Sequence, residues 1–369
     1  MQRSPTTLPD STSHQSWFHQ GQFPILALAP MQDVTDLPFW RLMARYGGAD
    51  VYYTEYFRVH ATSNLEKPIL QSILLNPTGK PVVAQMIGND IPSLVRTAKE
   101  LQNYPVSGID LNLGCPAPIV YKKCAGGGLL RELNRVDAIL GALRQTITAP
   151  FTVKTRIGFE DSQDFDTLLE LLAKHRPDLV TVHGRTVSQM YRSPVHYDHI
   201  QRAVSVLPMP VIANGDVDSA GKALQILDST KAAGLMIGRG AIRNPWLFSQ
   251  IRTSSSKSNP FLPTGRDVLA YVHDLYQEVK PPSIRETAHV QKMKRYMNFL
   301  GVGVDPEGRF LNQIRRVETE RDFFSVCTRF LDHDLTMELR PFDRLSDPGS
   351  LGGSQVRGDC ETAQMPLLG

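Results

Sequence analysis

The cysteine with the most distinctive surroundings is Cys115, which stands between Gly114 and Pro116 at the end of the apolar run 108–115. A thiol has a reference pKa of about 8.5, so it is mostly protonated at neutral pH and can donate a proton. A cysteine that packs as a small buried hydrophobic side chain is the competing interpretation. The neighbouring sequence offers no histidine partner, so a cysteine–histidine nucleophile is not specifically indicated.

Basic side chains end two later apolar runs. Lys154 and Arg156 lie in the run 151–158, and His183 lies in the run 179–186. An ammonium group in such a place meets an anion, for example the negative charge of a reduced flavin, although a Schiff-base lysine and a solvated charge remain alternatives. His183 contacts a cofactor or simply packs in the rim. The partners required for a zinc site or a serine–histidine–aspartate site are missing from these motifs.

Two glycine-bearing turns lie in the second halves of the last two runs. One carries Asn214, Gly215 and Asp216, and the other carries Gly238 and Arg239. Glycine lets backbone N–H groups approach an anion closely, and an arginine can complete the site. The pair of turns therefore predicts a phosphate-binding site.

The elements that carry these residues form a regular series. Eight apolar runs, most of them followed by a helix-like segment, span residues 24–30, 50–57, 81–88, 108–115, 151–158, 179–186, 210–217 and 234–241. Strands that alternate with helices imply right-handed crossovers and a parallel sheet, and eight units predict a closed (β/α)₈ TIM barrel. Active sites of this α/β fold lie at the carboxyl ends of the strands, where the motifs above are placed.

The pattern changes beyond the barrel. We expect a flexible extension over residues 1–22, a barrel domain over 23–252, a polar linker over 253–260 and a helical bundle over 265–335. Residues 340–369 are rich in Gly, Ser, Asp and Pro, which predicts a disordered tail.

Composition restricts the class of protein. The chain has 369 residues, 41% of them hydrophobic, and a formal net charge of +3. Its apolar runs are shorter than the roughly 18 residues that span a bilayer, and the first residues lack the apolar segment of a secretory signal. The four cysteines lack metal-binding spacing. We therefore expect a cytoplasmic, monomeric protein without a metal site.

The motifs together resemble the tRNA-dihydrouridine synthase family. The similar segments are residues 29–36, 113–116 with the glycines at 126–128, 153–158, 182–186, 213–216 and 237–240. They match the family in order and spacing between about residues 24 and 330. Two positions depart from its pattern: Asp33 and Cys124 stand where the family has glycine, and Cys124 leaves open a redox-sensitive pair with Cys115.

The resemblance implies a cofactor, a reaction and site residues. The family binds FMN in the barrel mouth, reduces it with NADPH or NADH, and reduces uridines in tRNA to dihydrouridine, with hydride from flavin N5 to C6 and a proton from Cys115 to C5. The FMN-binding residues that it implies are Pro30, Met31, Gln32, Gln85, Lys154, His183, Asn214, Gly215, Asp216, Gly238 and Arg239. Asn112, Arg156 and Tyr191 are candidates for holding the uracil.

A tRNA substrate requires a second surface. The target base must leave the stack to enter a barrel mouth, and the body of the tRNA must then be held by phosphate contacts. In the helical segment, the candidates are Arg285, Lys292, Lys294 and Arg295, although a solvated helix face is the ordinary meaning of such a cluster. Two other functions stay open, a small-molecule FMN oxidoreductase similar to dihydroorotate dehydrogenase and an RNA-binding protein that has lost its chemistry.

Overall fold

The computed structural model describes Phe18 and residues 24–342. The rest of the predicted extension (1–22) and all of the predicted tail (340–369) beyond residue 342 lie outside the described residues. Nine parallel strands form one sheet: β1 Ile25–Leu28, β2 Val51–Tyr53, β3 Phe57–Arg58, β4 Val82–Ile87, β5 Gly108–Leu113, β6 Phe151–Arg156, β7 Leu179–His183, β8 Val211–Asn214 and β9 Gly234–Ile237.

Pairing of the first and last strands closes the sheet. β1 pairs with β2 on one side and with β9 on the other, and β2 also pairs with β4, so eight strands form a barrel and β3 extends it at β4. The predicted TIM barrel is confirmed. The run 50–57, predicted as one strand, is instead interrupted between β2 and β3, so residues 54–56 leave the strand ladder at the barrel mouth.

Helices follow most of the barrel strands. Several begin at a side-chain cap: Asp36, Asp90 and Ser219 each accept a backbone N–H of the first turn. The helices are α1 Leu37–Arg45, α2 Lys67–Leu75, α3 Ile91–Leu101, α4 Pro118–Tyr121, α5 Leu133–Thr146, α6 Phe165–His175, α7 Tyr197–Val206, α8 Ala220–Thr230, α9 Arg239–Arg243, α10 Leu247–Ser255, α11 Gly265–Glu278, α12 Glu286–Leu300, α13 Arg309–Ile314 and α14 Glu320–Leu331.

Two apolar clusters stabilise the molecule. The larger one lies between the strands and their helices and continues into α11–α14, and the smaller one fills the barrel interior around Ile25, Val51 and Met236. Phe18 belongs to the interior cluster and is 4% exposed. The segment predicted as a flexible extension therefore contributes a buried side chain to the barrel core.

The chain after the barrel stays close to it. α10 extends to Ser255, whose hydroxyl donates to the Ile251 carbonyl at 2.9 Å, so the first residues of the predicted linker (253–260) are helical. α11 packs on α1, and α12 packs on α9. After α14 the chain comes back to the end of α12, where the Phe342 N–H donates to the Val302 carbonyl. The domain bounds 23–252 and 265–335 stay predictions.

None of the helices between residues 24 and 342 combines the length and the apolar character that a membrane span requires.

Candidate active site

A cavity of about 1210 Å³ opens at the carboxyl ends of the strands. Small-molecule sites commonly measure roughly 300–1,000 Å³, so this cavity has room for a cofactor and a second planar ligand. Its lining includes nearly every predicted site residue: Pro30, Met31, Gln32, Asn112, Cys115, Lys154, Arg156, His183, Tyr191, Asn214, Gly215, Asp216, Gly238 and Arg239. Each role predicted for these residues stays a prediction, but the fold brings them to one place.

Cys115 occupies a tightly held loop at the end of β5. The Asn112 side-chain carbonyl accepts the backbone N–H groups of Gly114 and Cys115, each at 2.9 Å. The Cys115 carbonyl accepts the Gly127 N–H, and a Cβ at Gly127 would lie 2.9 Å from that oxygen. The glycine cluster thus permits a close approach of two backbone segments that a larger residue would prevent.

The Cys115 side chain is a free, half-buried thiol. Burial raises its pKa above the ordinary value, against the opposing influence of the nearby Arg156 and Lys154. The group is therefore protonated at neutral pH and available as a proton donor. Cys115 is not paired with Cys124, whose φ of 51° shows that it adopts the glycine-like conformation expected from the sequence, as Asp33 does at 60°.

A chain of hydrogen bonds behind Cys115 positions its loop. Asp110 accepts from Thr152 at 2.5 Å and from the Gln85 amide at 2.8 Å, and the Gln85 carbonyl accepts from Asn112 at 2.8 Å. Burial raises the pKa of Asp110 to about 6. These hydrogen bonds fix the orientation of the side-chain amides of Gln85 and Asn112. The Asn112 side-chain carbonyl therefore faces the backbone of the Cys115 loop.

Gln85 lies behind the cavity lining and not within it. It is 0% exposed, and both ends of its amide are bonded to Asp110 and Asn112. A strand residue in mid-β4 points into the barrel interior below the mouth, which explains why Gln85 orients Asn112 and does not join the cavity lining. Gln85 therefore positions Asn112, and its predicted contact with the flavin ring stays a prediction.

Arg156 connects the two loops that flank the cavity. It donates to the carbonyls of Gly114 at 2.9 Å, Thr186 at 2.7 Å and Met190 at 2.8 Å. It is 1% exposed, and burial lowers its pKa to about 10. Its guanidinium carbon lies 5.3 Å from the centroid of the Tyr191 ring. Arg156 thus fixes the Cys115 loop and the segment that carries Tyr191 relative to each other.

Lys154 and His183 adjoin each other on the cavity floor. Lys154 Nζ donates to the Asn214 side-chain carbonyl at 3.1 Å, and burial lowers its pKa to about 8. Burial, reinforced by Arg156, Lys154, Arg185 and Arg239, lowers the pKa of His183 well below its ordinary value, so its imidazole is neutral. This part of the cavity favours an anionic ligand, because the negative charge of such a ligand would stabilise the protonated form of Lys154.

Two arginines converge on Asp216 at one end of the cavity. Arg185 forms a bidentate pair with its carboxylate, with one bond at 3.0 Å, and Arg239 donates to the same carboxylate at 2.9 Å. The φ of Asp216 is 45° and that of Gly215 is 129°, so the turn has the conformation that its glycine predicts. Asp216 therefore orients two cations, and those cations are the groups suited to a phosphate.

Two buried polar atoms of the cavity lining, Gln32 Oε1 and Ser193 Oγ, have no hydrogen-bond partner among the described residues. Gln32 Oε1 is shielded from solvent and accepts no hydrogen bond from the residues that the structure describes. A buried acceptor without a donor costs free energy, so a ligand N–H group at this point would be stabilising. Together with the cationic end, this acceptor fits a ligand that has both a ring N–H and a phosphate.

Several lining residues were not predicted from the sequence. Tyr56 enters the cavity from the interruption between β2 and β3, and Arg185 enters from the loop after β7. Arg243, Phe299, Pro341 and Phe342 close another side. Arg185 closely follows the motif residue His183 and could have been predicted from the sequence. The other residues reach the cavity through long-range packing, which the periodicity of the sequence does not reveal.

The predicted tRNA-binding cations of α12 differ among themselves. Lys292 donates to the Val279 carbonyl at 3.2 Å and to Asp36 at 3.4 Å, so it attaches α12 to the barrel. Arg295 lies 3.9 Å from Asp33. Arg285 is exposed and Lys294 is half-exposed. The first two therefore have structural contacts, and the last two are the better candidates for phosphate contacts.

Comparisons with known proteins agree with this site. The family model described as "Dihydrouridine synthase (Dus)" matches residues 27–334. The chain is 38% identical over 236 residues to the probable tRNA-dihydrouridine synthase of Helicobacter pylori (strain ATCC 700392 / 26695), covering 63% of this chain and 71% of that protein. It is 34% identical to tRNA-dihydrouridine synthase B of Pasteurella multocida, over 68% and 77% of the two chains. A probable tRNA-dihydrouridine synthase of Rickettsia bellii is 31% identical over 77% of this chain and 88% of its own.

Proposed function

The chain belongs to the dihydrouridine synthase family, and we propose from this premise that it reduces uridines in tRNA to dihydrouridine with FMN as cofactor and NADPH or NADH as reductant. The observation that carries the proposal is that the Cys115 thiol opens onto the same cavity as a cluster of buried cations. A proton donor and an anionic cofactor site are the two parts that this reaction requires.

The cavity suits FMN in its donors and its acceptor. Arg185 and Arg239 would hold the phosphate, with Asp216 orienting both guanidinium groups. Gln32 Oε1 would accept a ring N–H, and Lys154 would lie against the negative charge of the reduced ring. When bound, FMN supplies the hydride that is added to C6 of the uracil.

The protein supplies position and one proton. Cys115 donates its proton to C5, and Asn112 keeps the Cys115 loop in place through two backbone N–H groups. Arg156 and Tyr191 line the cavity beside this loop, where the aromatic ring can stack on the uracil. General acids of this kind contribute roughly 10²–10⁴-fold to a rate when they are correctly placed.

The tRNA would extend from the mouth along α12. This helix adjoins the cavity, since Phe299 lines it and the Tyr296 hydroxyl donates to the carbonyl of the lining residue Val34 at 3.0 Å. Arg285 at the amino end of α12 and Lys294 in its middle would then contact phosphates of the tRNA. The target uridine would enter the mouth flipped out of its stack.

Mapping dihydrouridine tests the function directly. Purified protein, loaded with FMN, is incubated with NADPH and an unmodified tRNA transcript, and dihydrouridine is located by mass spectrometry. We expect one or a few specific uridines to be reduced. A protein that oxidises NADPH with small unsaturated substrates but leaves every tRNA unchanged would instead be a small-molecule oxidoreductase.

A further inference from the structure

The short helix α4 places an exposed apolar residue and two exposed lysines beside the barrel mouth. Ala117 and Pro118, at its amino end, line the cavity. Ile119 is 74% exposed, the largest value among the exposed large hydrophobic residues that the structure describes. Lys122 and Lys123 follow the helix, are exposed, and form no ion pair with a carboxylate among the described residues. We call Pro118, Ile119, Lys122 and Lys123 the α4 surface.

Neighbouring segments hold α4 in place. Val120 packs inward, since a Cβ at Gly126 would lie 3.0 Å from Val120 Cγ1. The Lys123 carbonyl accepts the side-chain amide of Asn89 at 2.9 Å, and Arg135 donates to the Asn89 carbonyl at 2.8 Å. The exposed side chains of the α4 surface are therefore presented by a fixed backbone, and a ligand would not have to order that backbone on binding.

The α4 surface and α12 lie on opposite sides of the mouth. In the closed ring of eight strands, β5 and β9 are separated by three strands in either direction. The α4 surface follows β5, whereas α12 packs on α9, which follows β9. A polynucleotide whose target base enters the mouth between them would therefore have one flank at each side.

We propose that the α4 surface is a second tRNA-binding site, at which Lys122 and Lys123 contact phosphates on one flank of the target uridine and Ile119 packs against an adjacent base. This inference rests on the proposed function, because it takes tRNA to be the substrate. Two lysines without a carboxylate partner favour a polyanion. A uridine that flips out leaves its neighbour without a stacking partner, and apolar side chains such as isoleucine contact unstacked bases in nucleic-acid complexes.

Filter binding across a salt series tests the two lysines. Lys122→Gln combined with Lys123→Gln removes two phosphate contacts, so tRNA binding should weaken about tenfold and its salt slope should fall by about two. The matched control is Lys80→Gln combined with Lys99→Gln, two exposed lysines at the amino end of the barrel, which should leave the slope unchanged. A salt slope equal to that of the wild type in the α4 variant would overturn the proposal.

A second set of variants tests the apolar contact. Ile119→Ser should weaken tRNA binding about fivefold without changing the salt slope, because an apolar contact releases no counterions, and Ile119→Leu should keep the wild-type affinity. Leu335→Ser is the control, since Leu335 is 73% exposed and lies beyond α14. Equal effects of the two serine variants would contradict the base contact. A wild-type dimer that dissociates in Ile119→Ser, with tRNA affinity unchanged, would show that the surface joins two copies of the chain instead.

Hydroxyl-radical footprinting of the tRNA tests the placement on two flanks. The double glutamine variant of Lys122 and Lys123 should lose protection on one side of the target uridine, and Arg285→Glu with Lys294→Glu should lose it on the other. Loss on the same side in both would overturn the placement. Retained flavin absorbance shows that each variant is folded. Failure of the proposed function is a separate outcome: wild-type protein would bind tRNA through the α4 surface and reduce none of its uridines.

Discussion

The barrel mouth and the α12 surface both carry basic residues, but their structural settings are opposite. The side chains of Arg185 and Arg239 are 3% and 14% exposed and converge on one carboxylate. On α12, the side chain of Arg295 is 60% exposed and lies near Asp33. Burying a cation costs free energy that the fold recovers only through partners or a ligand, whereas an exposed cation costs little. The mouth is therefore suited to a buried anion, whereas the exposed cations of α12 are suited to phosphate contacts at the surface.

The largest effect is expected at Cys115. Cys115→Ala should lower the rate of dihydrouridine formation by roughly 10²–10⁴-fold while FMN stays bound, because only the proton donor is removed. The measurement pairs the visible flavin spectrum with dihydrouridine quantified by mass spectrometry. Turnover equal to that of the wild type would show that another group is the acid.

Lys154 should control the affinity for the cofactor. Its pKa is lowered to about 8 by burial, so it is charged below that pH and loses its charge above it. Affinity for an anionic reduced flavin should therefore fall as the pH rises through about 8. Lys154→Met should bind reduced FMN about ten- to a hundredfold more weakly at pH 7, as expected for the loss of a hydrogen bond to a charged group.

The pH dependence of FMN affinity in Lys154→Met is the more decisive measurement. Titration of flavin fluorescence with apoprotein should give an affinity that no longer changes near pH 8. If the variant keeps the wild-type pH dependence, then the titrating group is not Lys154, and the assignment of the cavity floor to an anion is wrong.

Gln85 distinguishes positioning from cofactor contact. Gln85→Leu removes one buried hydrogen-bond partner from each of Asp110 and Asn112, so the free energy of unfolding should fall by about 1–3 kcal/mol. Turnover should fall about tenfold as the Cys115 loop loosens, while the affinity for FMN should change little. Denaturant unfolding measures the change in stability, and flavin titration measures the affinity for FMN. A large loss of FMN affinity with normal stability would instead support the contact with the flavin ring that the sequence predicts.

Part of this site could be predicted from the sequence because the end of a strand is recognisable from the residues around it. Lys154, His183 and Asn214 each follow an apolar run, so their position at the mouth could be predicted from periodicity and barrel topology. The hydrogen bonds of Gln85 to Asp110 and Asn112 were not predicted, because they join residues of different strands. Tyr56 and Phe342 were missed because an interruption of a strand and a returning chain segment are set by tertiary packing.

The α12 surface should give the smallest effects. Reversing the charge of Arg285 and Lys294 to Glu should weaken tRNA binding by about tenfold and reduce its salt dependence, since two phosphate contacts are lost. A matched double reversal of Lys80 and Lys99, two exposed lysines at the amino end of the barrel, should leave binding unchanged. Filter binding across a salt series measures both, and equal effects of the two pairs would indicate nonspecific attraction only.

Lys292→Ala separates attachment from binding on the same helix. It removes the contacts with Asp36 and the Val279 carbonyl, so we expect a loss of about 1 kcal/mol in the free energy of unfolding. The salt dependence of tRNA binding should be unaffected. A variant with normal stability and a smaller salt slope would place Lys292 in the RNA-binding surface after all.

We propose that the thiol of Cys115 and the reduced flavin act on opposite faces of one uracil. Reduction of tRNA with deuterated nicotinamide in deuterium oxide labels both C5 and C6, and the coupling between the two remaining ring protons of the isolated dihydrouridine reports their relative configuration. The account predicts that the two deuterium atoms lie on opposite faces of the ring. Addition of both to the same face would contradict it.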